Sequence, residues 1–448
     1  MFPQIIDSTY RQQLDDDLML RFATVDDIEP LAQFNGRIHG DDGQFNAFVA
    51  QWTREFTSPT HPSCGPNNVT IVEDTRTGQI VSSMCTIPQT WTYDGVPFLV
   101  GRPEAVGTDP AYRRRGLVRA QFEVFHAKGD AEGQLAQAIT GIQWYYRQFG
   151  YEYAIDLSGG RMVHPALIAP LKDGAPSKPG ETEPYQFRPA TVADASFIKP
   201  LYDRQCARSL IARPMSDLDW RYELDTANDP TPFTGTFIIE TAGDVRPIGY
   251  VTIHRELGWN RLRVQELNLI EGQSYRAVLP PVLRWSKPIA ERLAREQQRE
   301  LQAIHFVFGA QHPLFDAAPD LLPTVRPPYA WYVRVPDVPK LINTIAPVLE
   351  ARLNRSSLAG YSGELRVSEF VRGFKLIIEQ GKIRSERWTP DDSENVMFPP
   401  LTFNQLLFGR RTLGDIRYMF PDCECDAELE PVLATLFPKR PSNVMAMA

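Results

Sequence analysis

Two stretches of the chain begin alike: "RFATVDDIEPL" from Arg21 and "RPATVADASFIKPL" from Arg188 share Arg-x-Ala-Thr-Val-x-Asp and close on Pro-Leu. They lie one domain's length apart, so a repeated fold unit is the simplest way to use the same pattern twice. In each copy a short strand leads through Thr-Val-x-Asp into a helix, with Thr24 or Thr191 placed to cap it. After that helical region each copy supplies two strands joined by a turn. In the first copy these are "NNVTIVED" and "GQIVSSMCTIPQTWTY", in the second "GTFIIETA" and "RPIGYVTIHREL". Two related α+β domains follow.

Between the copies lies "LKDGAPSKPGETEP", whose proline, glycine and charge mark a linker over 171–184. Past Pro339 a different pattern begins. "GELRVSEFVRGFKLIIEQGKIRSERW" alternates apolar residues between turn signals at Arg372-Gly373 and Gln380-Gly381, and is followed by helical "LTFNQLLFG" and an amphipathic "AELEPVLATLF". The division is thus a first domain over 1–170, a linker over 171–184, a second domain over 185–338, and a third, sheet-plus-helix domain over 339–448.

The chain has 448 residues, 43% of them hydrophobic and 23% charged, with a net charge of −8. This is material for several buried cores, and neither a basic total nor basic blocks suit a nucleic-acid surface. No apolar run reaches the roughly 18 residues of a membrane span, and the first residues lack the basic-then-apolar order of a signal peptide. A cytoplasmic protein without a nucleic-acid or membrane partner is expected. The five cysteines are odd in number and lack repeated C-x-x-C spacing, which suggests free thiols. The histidines show no paired metal spacing, so no metal is expected.

Against that acidic background, "VGTDPAYRRRGLVRAQFEVFHAK" concentrates positive charge at the mouth of a helix. Gly116 lets the backbone approach a ligand or adopt a conformation other residues avoid. The first amides of the following helix lack intrahelical acceptors, and its dipole adds partial positive charge. A pyrophosphate suits both, and Arg113, Arg114 and Arg115 add charge. Val118, Phe122 and Phe125 supply one apolar face for the helix.

This stretch resembles the acyl-CoA-binding motif, R/Q-x-x-G-x-G/A, of the GCN5-related N-acetyltransferase (GNAT) superfamily. Arg113 and Gly116 match, while Val118 stands where the superfamily prefers glycine or alanine. The resemblance implies acetyl-CoA as co-substrate, held by Val106, Thr108, Arg113, Arg114, Arg115, Gly116, Leu117 and Val118. Further on, "YYRQFGY" resembles the superfamily segment that ends beside the cofactor's thiol. It implies Tyr146, five residues before Tyr151, as the proton donor to the departing thiolate, with Trp144, Tyr145 and Phe149 read as core aromatics. The second copy has no such motif. It reads "VQELNLIEGQSYRAVLPPVLRWSKPIAERL", with Pro280-Pro281 near its helix start removing amide donors. Together with a C-terminal domain similar to sterol carrier proteins, the order of domains resembles the enhanced intracellular survival (Eis) type of acetyltransferase. The implied fold is α+β: two tandem GNAT-type acyl-CoA N-acyltransferase domains, the second degenerate, followed by a sterol-carrier-like α+β domain.

Acetyl transfer to an amine needs the amine neutral. At a pKa near about 10.4 this costs on the order of 4 kcal/mol at neutral pH, so a general base helps. Glu104, expected on one strand face with Val106 and Thr108, is one candidate. The family resemblance offers another, the chain's own terminal carboxylate on Ala448. Asp41 and Asp42 in "IHGDDGQF" either border the acceptor site and favour a cationic amine or form a solvated acidic loop. The implied acceptors are small-molecule amines or protein lysines, and the resemblance implies a homo-oligomer. Direct attack within a ternary complex is expected, because nucleophilic motifs such as G-x-S-x-G are missing. The alternative is a non-catalytic protein that senses CoA or binds an apolar ligand in the sterol-carrier-like domain.

Overall fold

The computed structural model describes residues 7–40, 43–171, 183–226 and 234–445. They form two compact units, Met1–Ile155 with Trp331–Lys439, and Asp156–Ala330 with Arg440–Ala448. Of the linker read at 171–184, residues 172–182 lie outside the described residues.

In the first unit the strands β1 (Arg11–Asp15), β2 (Leu18–Phe22), β3 (Val69–Asp74), β4 (Gln79–Tyr93), β5 (Val96–Thr108) and β6 (Ala136–Ile139) follow one another across a sheet, with β7 (Glu152–Leu157) beyond them. The strand Tyr329–Arg334, from the stretch assigned by sequence to the second domain, inserts between β6 and β7. Its Tyr332 pairs antiparallel with Ile139. The helices α1 (Ile28–Ile38), α2 (Ala47–Thr57) and α3 (Leu117–Ala131) complete this layer. Strand β5 runs parallel to β6 only at Val100↔Ala136 and Gly101↔Gln137. Beyond that point the two strands part, so the end of β5 is an edge that the sheet does not use.

The unit's third-domain segment has its own sheet, ordered Lys382–Trp388, Gly373–Glu379, Gly363–Ser368, Val396–Met397, Glu424–Cys425. The turn signal at Gln380-Gly381 makes a hairpin, both residues holding positive φ of 49° and 77°. The helix Val338–Asn354 starts on Asp337, whose carboxylate accepts from the Lys340 amide at 3.0 Å, and buries Leu341, Ile345, Leu349 and Leu353. The segment is tied to the end of β4: Tyr93 donates its hydroxyl to the Leu407 carbonyl at 2.9 Å, and Arg352 pairs with Asp94 at 3.1 Å. A buried hydrogen bond of this kind contributes about 1 kcal/mol, and the two fix where the segment meets β4.

The second unit's sheet runs Thr324–Arg326, Gly160–Val163, Ala303–Phe306, Arg261–Leu269, Pro247–His254, Thr234–Thr241, Tyr185–Pro189. Its strand Gly160–Val163 comes from the stretch assigned by sequence to the first domain. A long helix, Tyr275–Glu296, covers a core of Val264, Leu267, Leu279, Val282 and Phe306.

The repeated Arg-x-Ala-Thr-Val-x-Asp has one physical meaning in both units. Arg21 bonds Asp27 at 2.7 Å and reaches Glu73 of the neighbouring strand at 2.8 Å. Arg188 bonds Asp194 at 2.7 Å and Glu240 at 2.8 Å. Asp27 accepts from the Thr24 amide and hydroxyl at 2.7 and 2.8 Å, and Asp194 does the same for Thr191 at 2.8 and 3.0 Å. The threonine thus closes a capping box on a one-turn 3-10 segment, Val25–Asp27 or Val192–Asp194, before the α-helix proper.

Candidate active site

The opened end of β5 and the start of α3 enclose a cleft of about 670 Å3. Val106, Gly107 and Thr108 form one wall, Tyr112 to Arg119 the floor, and Ile142, Tyr145, Tyr146, Gln148 and Phe149 the facing wall. The cofactor residues expected from sequence, Val106, Thr108 and Arg113 to Val118, therefore converge on one space.

Gly116 is the N-cap of α3, with φ 77° and ψ 6° in the left-handed region. A Cβ placed there would meet nothing within 4 Å. Backbone conformation, not crowding, is what requires glycine. Arg114 also holds a positive φ of 64°, so the loop turns sharply twice before the helix begins. The triple arginine divides its work: Arg115 is ion-paired with Asp15 and lies 5.6 Å from the Tyr112 ring, whereas Arg113 bends back to the Thr108 carbonyl at 3.4 Å. All three are exposed. Val118 packs with Val106 and Tyr145 at the rim of the Phe122–Tyr146 aromatic cluster, so its side chain is absorbed by packing.

Beneath the loop runs a buried polar chain that the sequence reading missed. Thr70 donates to Gln121 Oε1 at 3.1 Å, Gln121 Nε2 donates to Ser82 at 2.8 Å, and Ser82 donates to the Gly107 carbonyl at 2.8 Å. It fixes α3 to the wall formed by β5. Only its position, three hydroxyl or amide side chains from three elements, identifies it, and no spacing in the sequence encodes that.

Tyr146 lies in the one-turn helix Tyr145–Phe149 that follows β6 and is 4% exposed. Its ring is held edge-on by Phe122 at 6.0 Å and Tyr332 at 5.5 Å. Its hydroxyl lies 3.4 Å from where a Cβ on Gly141 would stand, at a residue whose φ of 126° already favours glycine. Trp144 departs from the core-aromatic expectation. It is 63% exposed with φ 62°, because it caps the turn, and Arg147 lies 5.1 Å from its ring.

Glu104 departs from the shared-face expectation. Ala105 takes a positive φ of 47°, and the register against β4 slips between Ser83 and Cys85. This bulge breaks the two-residue alternation, so Val106 and Thr108 line the cleft and Glu104 does not. Glu104 instead pairs with the buried Arg102 guanidinium. Burial raises its pKa while Arg102 opposes the rise. Asp41, Asp42 and Ala448 lie outside the described residues.

The bulge has a second consequence. His39, at the C-terminal end of α1, also lines the cleft. Burial lowers its pKa, and the nearby Ala105 carbonyl opposes the fall. Its Nε2 is buried without a hydrogen-bond partner among the described residues, and it lies 3.3 Å from where a Cβ on Gly107 would stand.

In the second unit the corresponding helix starts differently. Ser274 accepts from the Ala277 amide at 3.3 Å, and Arg276 is spent on Asp320 at 2.7 Å. Pro280 and Pro281 sit beyond the first turn, after Tyr275. The expectation that they remove the first-turn donors is therefore corrected: a side-chain cap and an intramolecular ion pair occupy that helix end. Among the described residues no cluster of three histidine, cysteine or carboxylate side chains could hold a metal ion, and no helix is long and apolar enough to cross a membrane.

Residues 40–154 match the family described as an acetyltransferase (GNAT) domain. The matched stretch contains β5, the Arg113–Gly116 loop and Tyr146. Solved structures similar over nearly the whole chain include a GCN5-related N-acetyltransferase from Anabaena variabilis ATCC 29413, at 15% identity and a TM-score of 0.62 over 95% of this chain and 99% of that one. A conserved protein from Enterococcus faecalis V583, described as of unknown function and a probable N-acyltransferase, is 13% identical with a TM-score of 0.66 over 96% and 100%. Eis1 from Mycobacterium abscessus is 15% identical with a TM-score of 0.58 over 95% and 99%. At these identities the likeness is one of fold. No curated protein matches the chain.

Proposed function

We propose that this chain is an acetyl-CoA-dependent N-acetyltransferase that passes the acetyl group to a primary amine by direct attack in a ternary complex. The observation that carries this reading is the convergence of the Arg113–Gly116 loop, the free edge Val106–Thr108 and Tyr146 on one cleft. The left-handed Gly116 and the first amides of α3 would receive the pyrophosphate, with Arg113 and Arg114 supplying charge. The pantetheine arm would extend the sheet along β5, where β6 has parted from it. Its thioester would then reach Tyr146, whose hydroxyl protonates the departing thiolate. The second unit serves as scaffold, having its helix end already satisfied. The acceptor is a cationic small-molecule amine or a lysine, for which Asp41 and Asp42 are the proposed recognition charges, and the active form is a homo-oligomer.

The test is CoA release from acetyl-CoA across a panel of amines. Tyr146→Phe should lower kcat by about 100-fold or more with little change in acetyl-CoA affinity, as expected when one general acid is lost. If no amine raises CoA release above hydrolysis while acetyl-CoA still binds, the proposal fails.

A further inference from the structure

We infer that His39 is the general base of the transfer, taking the amine's proton on Nε2. The inference rests on the acetyltransferase reading above and identifies a role that the sequence pattern had offered to Glu104 or to the terminal carboxylate.

Three observations meet at this side chain. First, His39 lines the same cleft as Tyr146 and the β5 edge, whereas Glu104 is turned away by the bulge and committed to Arg102. Second, the ring lies close to a backbone carbonyl, that of Ala105, while Nε2 has no hydrogen-bond partner among the described residues. An imidazole that carries its proton on Nδ1 leaves the Nε2 lone pair able to accept. The Ala105 carbonyl is aimed by the left-handed φ of the bulge and also receives Ser83 Oγ at 3.5 Å. The backbone of His39 is fixed as well: its amide donates to Asn35 at 3.0 Å, and its carbonyl accepts from Asn46 at 3.1 Å. Third, Nε2 faces the wall where the thioester would lie. It stands beside Gly107, which tolerates no Cβ because Ile38 would be met at 2.8 Å and Nε2 at 3.3 Å.

A buried nitrogen acceptor left without a donor carries a free-energy cost. A molecule that brings an N–H to this point removes that cost, and a primary amine is such a molecule. Burial also holds the imidazole below its ordinary pKa, which favours its neutral form. The bound ammonium first gives one proton to solvent; the neutral amine nitrogen then attacks the thioester carbonyl carbon, and the new C–N bond forms as the C–S bond breaks. The amine's proton passes to His39 Nε2, and the sulfur receives a proton from Tyr146. Solvent then carries the proton from imidazolium back to tyrosinate, leaving an amide and free CoA.

The experiment compares the native chain with His39→Asn, which keeps a donor for the Ala105 carbonyl, and His39→Gln as a second variant. Each is assayed with an alkyl amine and with hydroxylamine or methoxyamine, nitrogen nucleophiles that are largely unprotonated at neutral pH. Both variants should lose about 100-fold or more in kcat/KM toward the alkyl amine, a typical general-base contribution. They should lose only a few-fold toward the weakly basic nucleophiles, whose proton leaves readily to water. Acetyl-CoA affinity by calorimetry should stay within about twofold of native. An equal loss with all amines, or a loss matched by weakened acetyl-CoA binding, assigns His39 a structural role and overturns the inference. Native rates in either folded variant overturn it too, while leaving the acetyltransferase reading intact. A native chain that transfers to no amine overturns both.

Discussion

Replacing Gly116 by alanine isolates one physical term. Because no atom lies within 4 Å of the added methyl group, crowding contributes nothing, and the cost comes from holding φ at 77°. For an L-residue the left-handed region costs about 1 to 2 kcal/mol. That cost must appear somewhere. If the loop keeps its shape, unfolding free energy falls by the full amount; if the unliganded loop relaxes, a ligand must restore the turn, and acetyl-CoA binding weakens by about 5- to 30-fold. The assay is therefore paired: chemical denaturation and acetyl-CoA calorimetry on the same preparations, with the two losses summing to about 1 to 2 kcal/mol. Gly116→Asn, which enters the left-handed region more readily, should recover part of the loss. If Gly116→Ala matches the native chain in both measurements, the left-handed turn is not needed, and with it falls the explanation of why an R-x-x-G loop ends in glycine.

Burial pushes His254 and His312 down to about 3 and His305 down to about 4, all in the second unit, whereas the first unit holds His126 at about 3. Against an unfolded value near about 6.5, each is fully stabilising above that pH and destabilising as pH falls toward 3, because the unfolded chain binds the extra proton. At pH 5 this amounts to on the order of 2 kcal/mol per histidine, so hydrogen exchange at pH 5 should open residues 185–330 before residues 7–155; equal loss of protection in both would refute it. Gln121→Leu removes the link between Thr70 and Ser82, whose hydroxyls keep the Met84 and Gly107 carbonyls as acceptors. Denaturant titration should show a loss of about 1 kcal/mol for each bond removed, and an unchanged midpoint would mean that the polar chain contributes nothing net.

Sequence and structure divide unevenly over this molecule. The Arg-x-Ala-Thr-Val-x-Asp repeat, the helix that opens at Gly116 and the one-turn helix bearing Tyr146 are all legible in the chain. Each is a local arrangement in which residues a few positions apart bond one another or demand one backbone conformation. Thr24 with Asp27, and Thr191 with Asp194, are three residues apart. Gly116 signals its left-handed turn by lacking a side chain. The readings that changed depend on partners far away in sequence. Glu104 loses its place on the cleft to a bulge that only the register against β4 reveals. Trp144 emerges into solvent because its turn is closed by residues of a strand more than a domain's length away, where Tyr332 receives its amide.

The sheets make the same division plain. Tyr329–Arg334 pairs in the first sheet and Gly160–Val163 in the second, so pairing does not follow chain order. The exchange is decided by which edge a strand can cover, a property of assembled sheets. His39 belongs to this second category. Nothing around it in "RIHGDDG" forms a motif; it comes to the cleft only because the fold sets the end of α1 against Gly107 of β5, far along the chain. By itself the sequence determined the local hydrogen-bonding units and the loop fitted to an anion. The tertiary structure decided which side chains share the cleft, because that depends on register, on a bulge and on contacts that short-range patterns cannot encode.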